Sequence, residues 1–244
     1  MGIDIVTFQA ILKSFKYINK KDSILTLGRQ QFHLYYHDIQ CFLQEYSMFP
    51  LESNIHNYIN PNYCETFFHD IGFKKVLSLD NSDYEKANII FNFNLPVKVS
   101  EEQKFDYIFD GGSTEHIFNQ LQVCQNIINL LNVGGVFCSV TCNNNFSGHG
   151  LYQFSPEYFL SVYNEKYGMQ ILELYLAEAD KDSIEWINVN SYNGYRNMSK
   201  IDTKNYVYIV AIVKKIEEKG ENILFENPPN QFSYEEIEWK KNSL

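Results

Sequence analysis

Phe105-Asp-Tyr-Ile-Phe-Asp110-Gly-Gly-Ser-Thr-Glu115-His116-Ile117, followed after one helix length by Leu131-Asn-Val-Gly-Gly-Val-Phe137, is the stretch that decides the fold. A short apolar run ends on an acidic residue and two glycines. A helix-length segment follows, and a Gly-Gly turn then opens a second apolar run. That order spells strand, ligand-facing loop, helix, turn and strand, one unit of a parallel sheet with its site at the strand's carboxyl end.

Outward from this unit the same alternation recurs. Residues 24–27, 76–79 and 89–91 are short apolar runs ending at Gly28, Asp80 and Asn92, and 107–109 and 136–140 are the strands of the opening unit. Helical spacing of apolar residues predicts helices near 3–17, 31–46, 62–71 and 114–131. Ser155-Pro156-Glu157 has the order of a helix start, with a hydroxyl N-cap, proline in the first turn and an acid near the positive end of the dipole. Residues 169–178 and 205–214 alternate as strands. The expected fold is α/β, a doubly wound, mostly parallel seven-stranded sheet with an inserted segment after the first strand, at about 45–72. One domain spans 1–215 and includes a polar, lid-like loop at about 180–203, and a charged tail runs from 216 to 244.

A chain of 244 residues suits one such domain with some elaboration. The formal charge of −10 argues against a nucleic-acid partner, because displacing counterions from phosphates needs a cationic surface that no basic cluster here supplies. Cys41, Cys64, Cys124, Cys138 and Cys142 are odd in number and form no C-x-x-C pair, so they read as reduced, small hydrophobes and not as zinc ligands or a disulfide framework. The N-terminus lacks the order of a signal peptide and no apolar run spans a bilayer, so a cytoplasmic location without membrane contact is expected.

The residues just past each strand are Gly28-Arg29-Gln30, Asp80-Asn81, Asn92, Asp110-Gly111-Gly112 and Thr141-Cys142-Asn143. Glycine, carboxylate and amide suit the ribose hydroxyls and base edge of an adenosine ligand. Asp80 stands where nucleotide-binding folds place a ribose-binding acid, although Asp-Asn-Ser is also a turn signature. After strand five comes Asn143-Asn-Asn-Phe-Ser-Gly-His149-Gly-Leu-Tyr152-Gln153-Phe, in which a histidine flanked by glycines has few neighbours to pack on. His149 is therefore the candidate general base, with His116 second, since imidazole titrates near neutrality. Each has a plain alternative, a flexible turn for His149 and a helix-start cap for His116. Glu115, Tyr152 and Gln153 are candidate substrate contacts. Glu115, His116 and His149 are residue types that hold metals, but their spacing does not indicate a metal site.

Over about residues 20–214 this order resembles the class I S-adenosylmethionine-dependent methyltransferases, with Phe105–Phe109, Glu115-His116-Ile117 and Leu130-Leu-Asn-Val-Gly-Gly-Val as the matching segments. The resemblance implies a Rossmann-like fold with S-adenosylmethionine as cofactor. Gly28 would lie beside its methionine part, Asp80 and Asn81 near the ribose and Asn92 at the adenine edge, with Asp110 and Gly111 lining the transfer site. The first loop, Thr26–Gln31, departs from the family pattern by carrying one glycine, and Arg29 or Gln30 is then expected to hold the cofactor's carboxylate. The implied reaction is methyl transfer to an oxygen of a small polar or sugar-like acceptor, as in surface-polysaccharide or secondary-metabolite tailoring. The other readings are a non-catalytic binding or scaffold module that kept the fold, and a nucleotide-dependent oxidoreductase, which the absent G-x-G-x-x-G disfavours.

Overall fold

The computed structural model describes residues 2–59, 63–98, 100, 103–180, 183–189 and 203–230. In chain order its elements are β1 (Gly2–Ile3), α1 (Ile5–Ser14), β2 (Ser23–Leu27), β3 (Gln31–Phe32), α2 (Tyr36–Glu45), α3 (Ile55–Tyr58), α4 (Glu65–Asp70), β4 (Lys75–Asp80) and β5 (Ile89–Ile90). Then follow β6 (Phe105–Gly111), α5 (Gln120–Leu130), β7 (Leu131–Asn144), α6 (Pro156–Val162), β8 (Met169–Ala179), β9 (Ile184–Asn188), β10 (Tyr206–Lys215) and α7 (Ile223–Glu226).

The main sheet has eight strands in the order β5-β4-β2-β6-β7-β10-β8-β9. The first five run parallel, β10 is antiparallel to both β7 and β8, and β9 is antiparallel to β8. This is the doubly wound layout expected from the sequence, with its topological switch between β2 and β6. The eighth strand is β9, inside the stretch read as a lid-like loop. It pairs with β8 from Tyr175 opposite Asn188 to Ala179 opposite Ile184, so the polar composition of the segment describes a sheet edge there. Residues 190–202 of that loop and 231–244 of the tail lie outside the described residues.

Alternation along the central strands divides the core between the two faces of the sheet. Ile24, Tyr107, Phe109, Val136, Cys138, Val210 and Ile212 face one cluster, and Leu25, Ile108, Phe137, Ile209, Ala211 and Val213 face the other. Aromatic rings fill both clusters. The segment between β2 and β4 folds with α1 over the first face, and Phe67 sits within 5.6 Å of Phe8, Phe32, Tyr58 and Phe68, measured between ring centres. Such edge-on contacts favour aromatic over aliphatic packing.

Three local expectations change. Gln31 and Phe32 do not start a helix, because they pair in parallel with Gly2 and Ile3 as a two-stranded ribbon beside the main sheet. The helix read over 114–131 starts later, at Gln120, where Asn119 caps it by accepting the amide of Gln122, and Thr114–His116 form a separate 3-10 turn. Ser155 occupies the N-cap of α6 but its side chain makes no capping bond. The start of the charged tail packs onto the domain, with Leu224 of α7 fully buried and its amide donating to Gln125 Oε1 at 2.8 Å. No helix among the described residues is long and apolar enough to cross a membrane.

Lys215, fully buried, donates to the carbonyls of Ile128 and Leu131 at 2.7 and 3.0 Å and to Glu218 at 3.0 Å. Ile128 lies in the last turn of α5, whose carbonyls have no helical partner, so this ammonium caps the helix. Lys215→Met keeps the stem and strands those carbonyls. Urea unfolding should show a loss of ~2–3 kcal/mol.

Candidate functional site

Strand register places the site. Leu27 is opposite Leu79 of β4 and Asp110 of β6, and Asp110 is opposite Ser139 of β7. Gly28, Asp80 and Gly111 therefore emerge side by side at the carboxyl rim, at the switch point. A cavity of about 290 Å³ opens there, lined by Leu27, Gly28, Asp80, Asn81, Asn92 and Asn94 together with Phe91, Phe93, Ser113, His116 and Ile117.

Gly28 has φ +73°, a conformation that favours glycine, and its amide donates to Leu79 O at 2.7 Å. The single glycine of the first loop is thus used to turn the chain over the rim. Asp80 Oδ1 accepts the Ser82 amide at 3.1 Å, and Oδ2 has no hydrogen-bond partner among the described residues. The turn role and a ligand role are therefore compatible. Asn92 Oδ1 accepts the amide and the side-chain amide of Asn94, and Asn94 Oδ1 in turn accepts the amide of Asn119, which ties the cavity's outer wall to the start of α5.

Two residues of the first loop point elsewhere. The guanidinium of Arg29 bonds Glu65 Oε1 at 2.6 Å and Glu85 O at 2.9 Å, and it lies 3.9 Å over the Tyr63 ring. Gln30 is fully buried and donates to Leu27 O at 2.7 Å. Neither lines the cavity, and the fork expected to hold a carboxylate is spent on Glu65 of the inserted segment and on the Glu85 carbonyl after β4.

Asp110 and Gly111 also lie beneath the cavity and not in its wall. Asp110 is fully buried and accepts four hydrogen bonds, from the amides of Ser113 (2.8 Å) and Thr114 (3.3 Å) and the hydroxyls of Thr114 (2.6 Å) and Ser139 (3.1 Å). Burial pushes its pKa up, and these bonds counter only part of the rise. A Cβ on Gly111 would stand 3.0 Å from Gln30 Oε1, so this glycine permits close packing under the rim.

The turn built on Asp110 presents Glu115 and His116. Glu115 is 1% exposed, with Oε1 3.5 Å from Cys142 Sγ and 3.8 Å from His149 Nε2, and with Oε2 unpartnered among the described residues. Burial, and then the neighbouring Asp110 charge, push its pKa up to about 8, so near neutral pH the carboxyl is mostly protonated. His116 lines the cavity, and its ring centre is 5.0 Å from that of His149. Burial and the neighbouring His149 lower the pKa of His116, which keeps this imidazole neutral. His149 is half exposed between Gly148 and Gly150, whose φ values are +85° and +70°. Asp80 and His116 thus line one cavity, and His149 stands beside His116.

Tyr152 and Gln153 hold the loop together. The Tyr152 hydroxyl donates to Phe118 O at 2.8 Å, and Gln153 Oε1 accepts the Phe146 amide at 3.0 Å. Sequence reasoning missed the apolar walls, Leu27, Leu79, Phe91, Phe93 and Ile117, and it missed Ser113. They follow from register: each sits at or just past a strand end already identified.

The chain matches no family model and no curated protein. Among solved structures it is similar to the Burkholderia thailandensis 1,6-didemethyltoxoflavin-N1-methyltransferase, at 12% identity over 86% of this chain and 77% of that one, with a TM-score of 0.45. A SAM-dependent methyltransferase from Archaeoglobus fulgidus matches at 12% identity over 87% and 95% of the two chains, with a TM-score of 0.44. The O-methyltransferase from a trans-AT PKS multienzyme of Brevibacillus brevis matches at 12% over 86% and 71%, with a TM-score of 0.46.

A buried acid with a raised pKa stabilises the fold below its unfolded value of about 4.5, and that contribution is lost as pH rises through about 8. Denaturant unfolding with a chelator present should show wild type losing at least ~1 kcal/mol relative to Glu115→Gln between pH 5 and pH 8.5. Parallel pH profiles would mean that Glu115 ionises as freely in the folded chain as in the unfolded one.

Proposed function

We propose that the cavity binds S-adenosylmethionine and that the chain transfers its methyl group to an oxygen of a small polar or sugar-like acceptor. The observation that carries this reading is the juxtaposition, around one cavity at the switch point, of a half-free carboxylate on β4 and a neutral imidazole after β6. At about 290 Å³ the cavity is near the lower end of ligand-pocket sizes and suits the adenosine portion. Asp80 Oδ2 is available to a ribose diol, Asn92 and Asn94 offer amides to the base edge, and Phe91 and Phe93 supply apolar walls. The amino-acid end then leaves past Gly28 and Ser113, without help from Arg29 or Gln30.

The cofactor's sulfonium supplies an electrophilic methyl group. The chain's own work is to position the acceptor in line, exclude water and take the hydroxyl proton. His149, exposed at the mouth beside His116, is the proton acceptor. His116 borders the cavity and stays neutral, so it orients the acceptor oxygen without placing a charge beside the sulfonium.

A second reading, a binding module without catalysis, is favoured by one observation. Arg29, the cation nearest the first turn, is bound by Glu65 and Glu85.

Isothermal titration of chelator-treated protein with S-adenosylhomocysteine should give micromolar affinity, reduced at least about tenfold by Asp80→Ala, a loss of ~1.4 kcal/mol. Absence of binding to wild type contradicts the enzymatic reading and favours the module. In turnover assays His149→Ala should lower kcat by about 10²-fold or more with little change in cofactor affinity. Binding without turnover of any hydroxyl acceptor would favour the module.

A further inference from the structure

Beside the cavity lies a cluster that the reading above leaves unexplained. Glu115, Cys142 and His149 each offer one ligand atom, and the three atoms lie within 4.8 Å of one another. Glu115 is the informative member. Its carboxyl is 1% exposed, Oε1 faces Cys142 and His149, and Oε2 has no hydrogen-bond partner among the described residues. A buried carboxyl left half unsatisfied costs stability, and it is kept where something else completes it.

The backbone makes room for this carboxyl. A Cβ on Gly112 would stand 3.1 Å from Glu115 Oε1, and one on Gly150 would stand 3.0 Å from Glu115 Cγ, and both glycines have positive φ. The loop after β7 is clamped in place by the amides of Leu151 and Tyr152, which donate to Glu115 O at 2.8 and 3.2 Å. His149 is thereby suspended above Glu115 and Cys142.

We propose that Glu115, Cys142 and His149 form a binding site for a divalent transition metal, with Zn²⁺ the best match to the donor set. Thiolate, imidazole and carboxylate are the three zinc ligand types, and three protein ligands with one open position is the pattern of an accessible zinc site. Zn–S and Zn–O bonds of about 2.3 and 2.0 Å at a tetrahedral angle put sulfur and oxygen roughly 3.5 Å apart. The Cys142 Sγ to Glu115 Oε1 distance is 3.5 Å. The imidazole, at 3.8 Å from the same oxygen, has to close by only about half an ångström, and it rides on a glycine-flanked turn. Binding takes Cys142 as thiolate and Glu115 as carboxylate, and the thiol and carboxyl protons both leave to solvent. The ion then neutralises a pocket that otherwise holds its carboxyl protonated. The site adjoins the neighbouring cavity through His116, which lines that cavity and whose ring centre is 5.0 Å from that of His149. With the ion bound His149 is a ligand, so its role as proton acceptor belongs to the metal-free protein.

The site stands on this geometry whatever fills the neighbouring cavity. The test is titration of chelator-stripped full-length protein with Zn²⁺, and with Co²⁺ as a spectroscopic probe. One Zn²⁺ should bind per chain, and Co²⁺ should produce a near-ultraviolet thiolate-to-metal charge-transfer band. His149→Ala, on an exposed loop, should weaken Zn²⁺ at least tenfold. Cys142→Ser should abolish the cobalt band. Cys41→Ser, which removes the exposed thiol 3.5 Å from His37 Nε2, should leave both signals unchanged. The proposal is overturned by no binding to wild type, by binding indifferent to His149→Ala and Cys142→Ser, or by binding lost in Cys41→Ser. S-adenosylhomocysteine titration of the same metal-free samples reads the cavity separately, so failure of one proposal is distinguishable from failure of the other.

Discussion

The carboxylate of Asp110 fixes the geometry on which the rim depends. It is fully buried where β6 ends, and it accepts two amides and two hydroxyls from the turn above it and from β7. Four hydrogen bonds offset the cost of burying an acid, and they leave the chain little freedom over residues 110–116. Ser113 is thereby set to donate to Leu27 O of β2, which ties the two strands together at the switch point. Glu115 and His116 leave the same turn in different directions, one under the rim and one into the cavity. Asp110 thus joins its own turn to Ser139 of β7 in addition to the strand pairing.

A second consequence is electrostatic. Asp110 and Glu115 are two buried acids close enough that the charge on one disfavours the charge on the other. Asp110 has the hydrogen bonds and Glu115 an unpartnered oxygen, so a proton on this pair is better placed on Glu115. The rim therefore carries a proton-bearing acid, a thiol and two imidazoles within one short arc. That is a chemically poised region on a rigid scaffold, while the adenosine-sized cavity beside it is mostly apolar with amide and carboxylate edges.

The architecture was legible in the sequence because its signals are local. Apolar runs ending in Gly28, Asp80, Asn92 and Asp110 gave the parallel strands, and register then brings those ends together. What was illegible depended on partners distant in sequence. Nothing in the first loop shows that Arg29 will be taken by Glu65, 36 residues on. Asp110 reads as a site residue because a carboxylate after a strand has the same sequence signature whether it faces a ligand or caps a turn below it. Gln31-Phe32 reads as helical because its strand partner, Gly2-Ile3, lies 29 residues earlier in the chain. Cys142 was grouped with the buried thiols, which its burial supports, and only the folded loop shows His149 suspended over it. His116 and His149 could be singled out in one dimension, since a strand-end position and flanking glycines are both visible there.

The account's central claim is that one cavity at the switch point takes an adenosyl ligand by its ribose, with the imidazoles at its open end. A crystal structure of the protein grown with S-adenosylhomocysteine tests this most directly. The account predicts ribose hydroxyls within about 3 Å of Asp80 and the ligand's sulfur on the side of His116 and His149. Density for the ligand away from Asp80, or a sulfur facing away from both histidines, would contradict it.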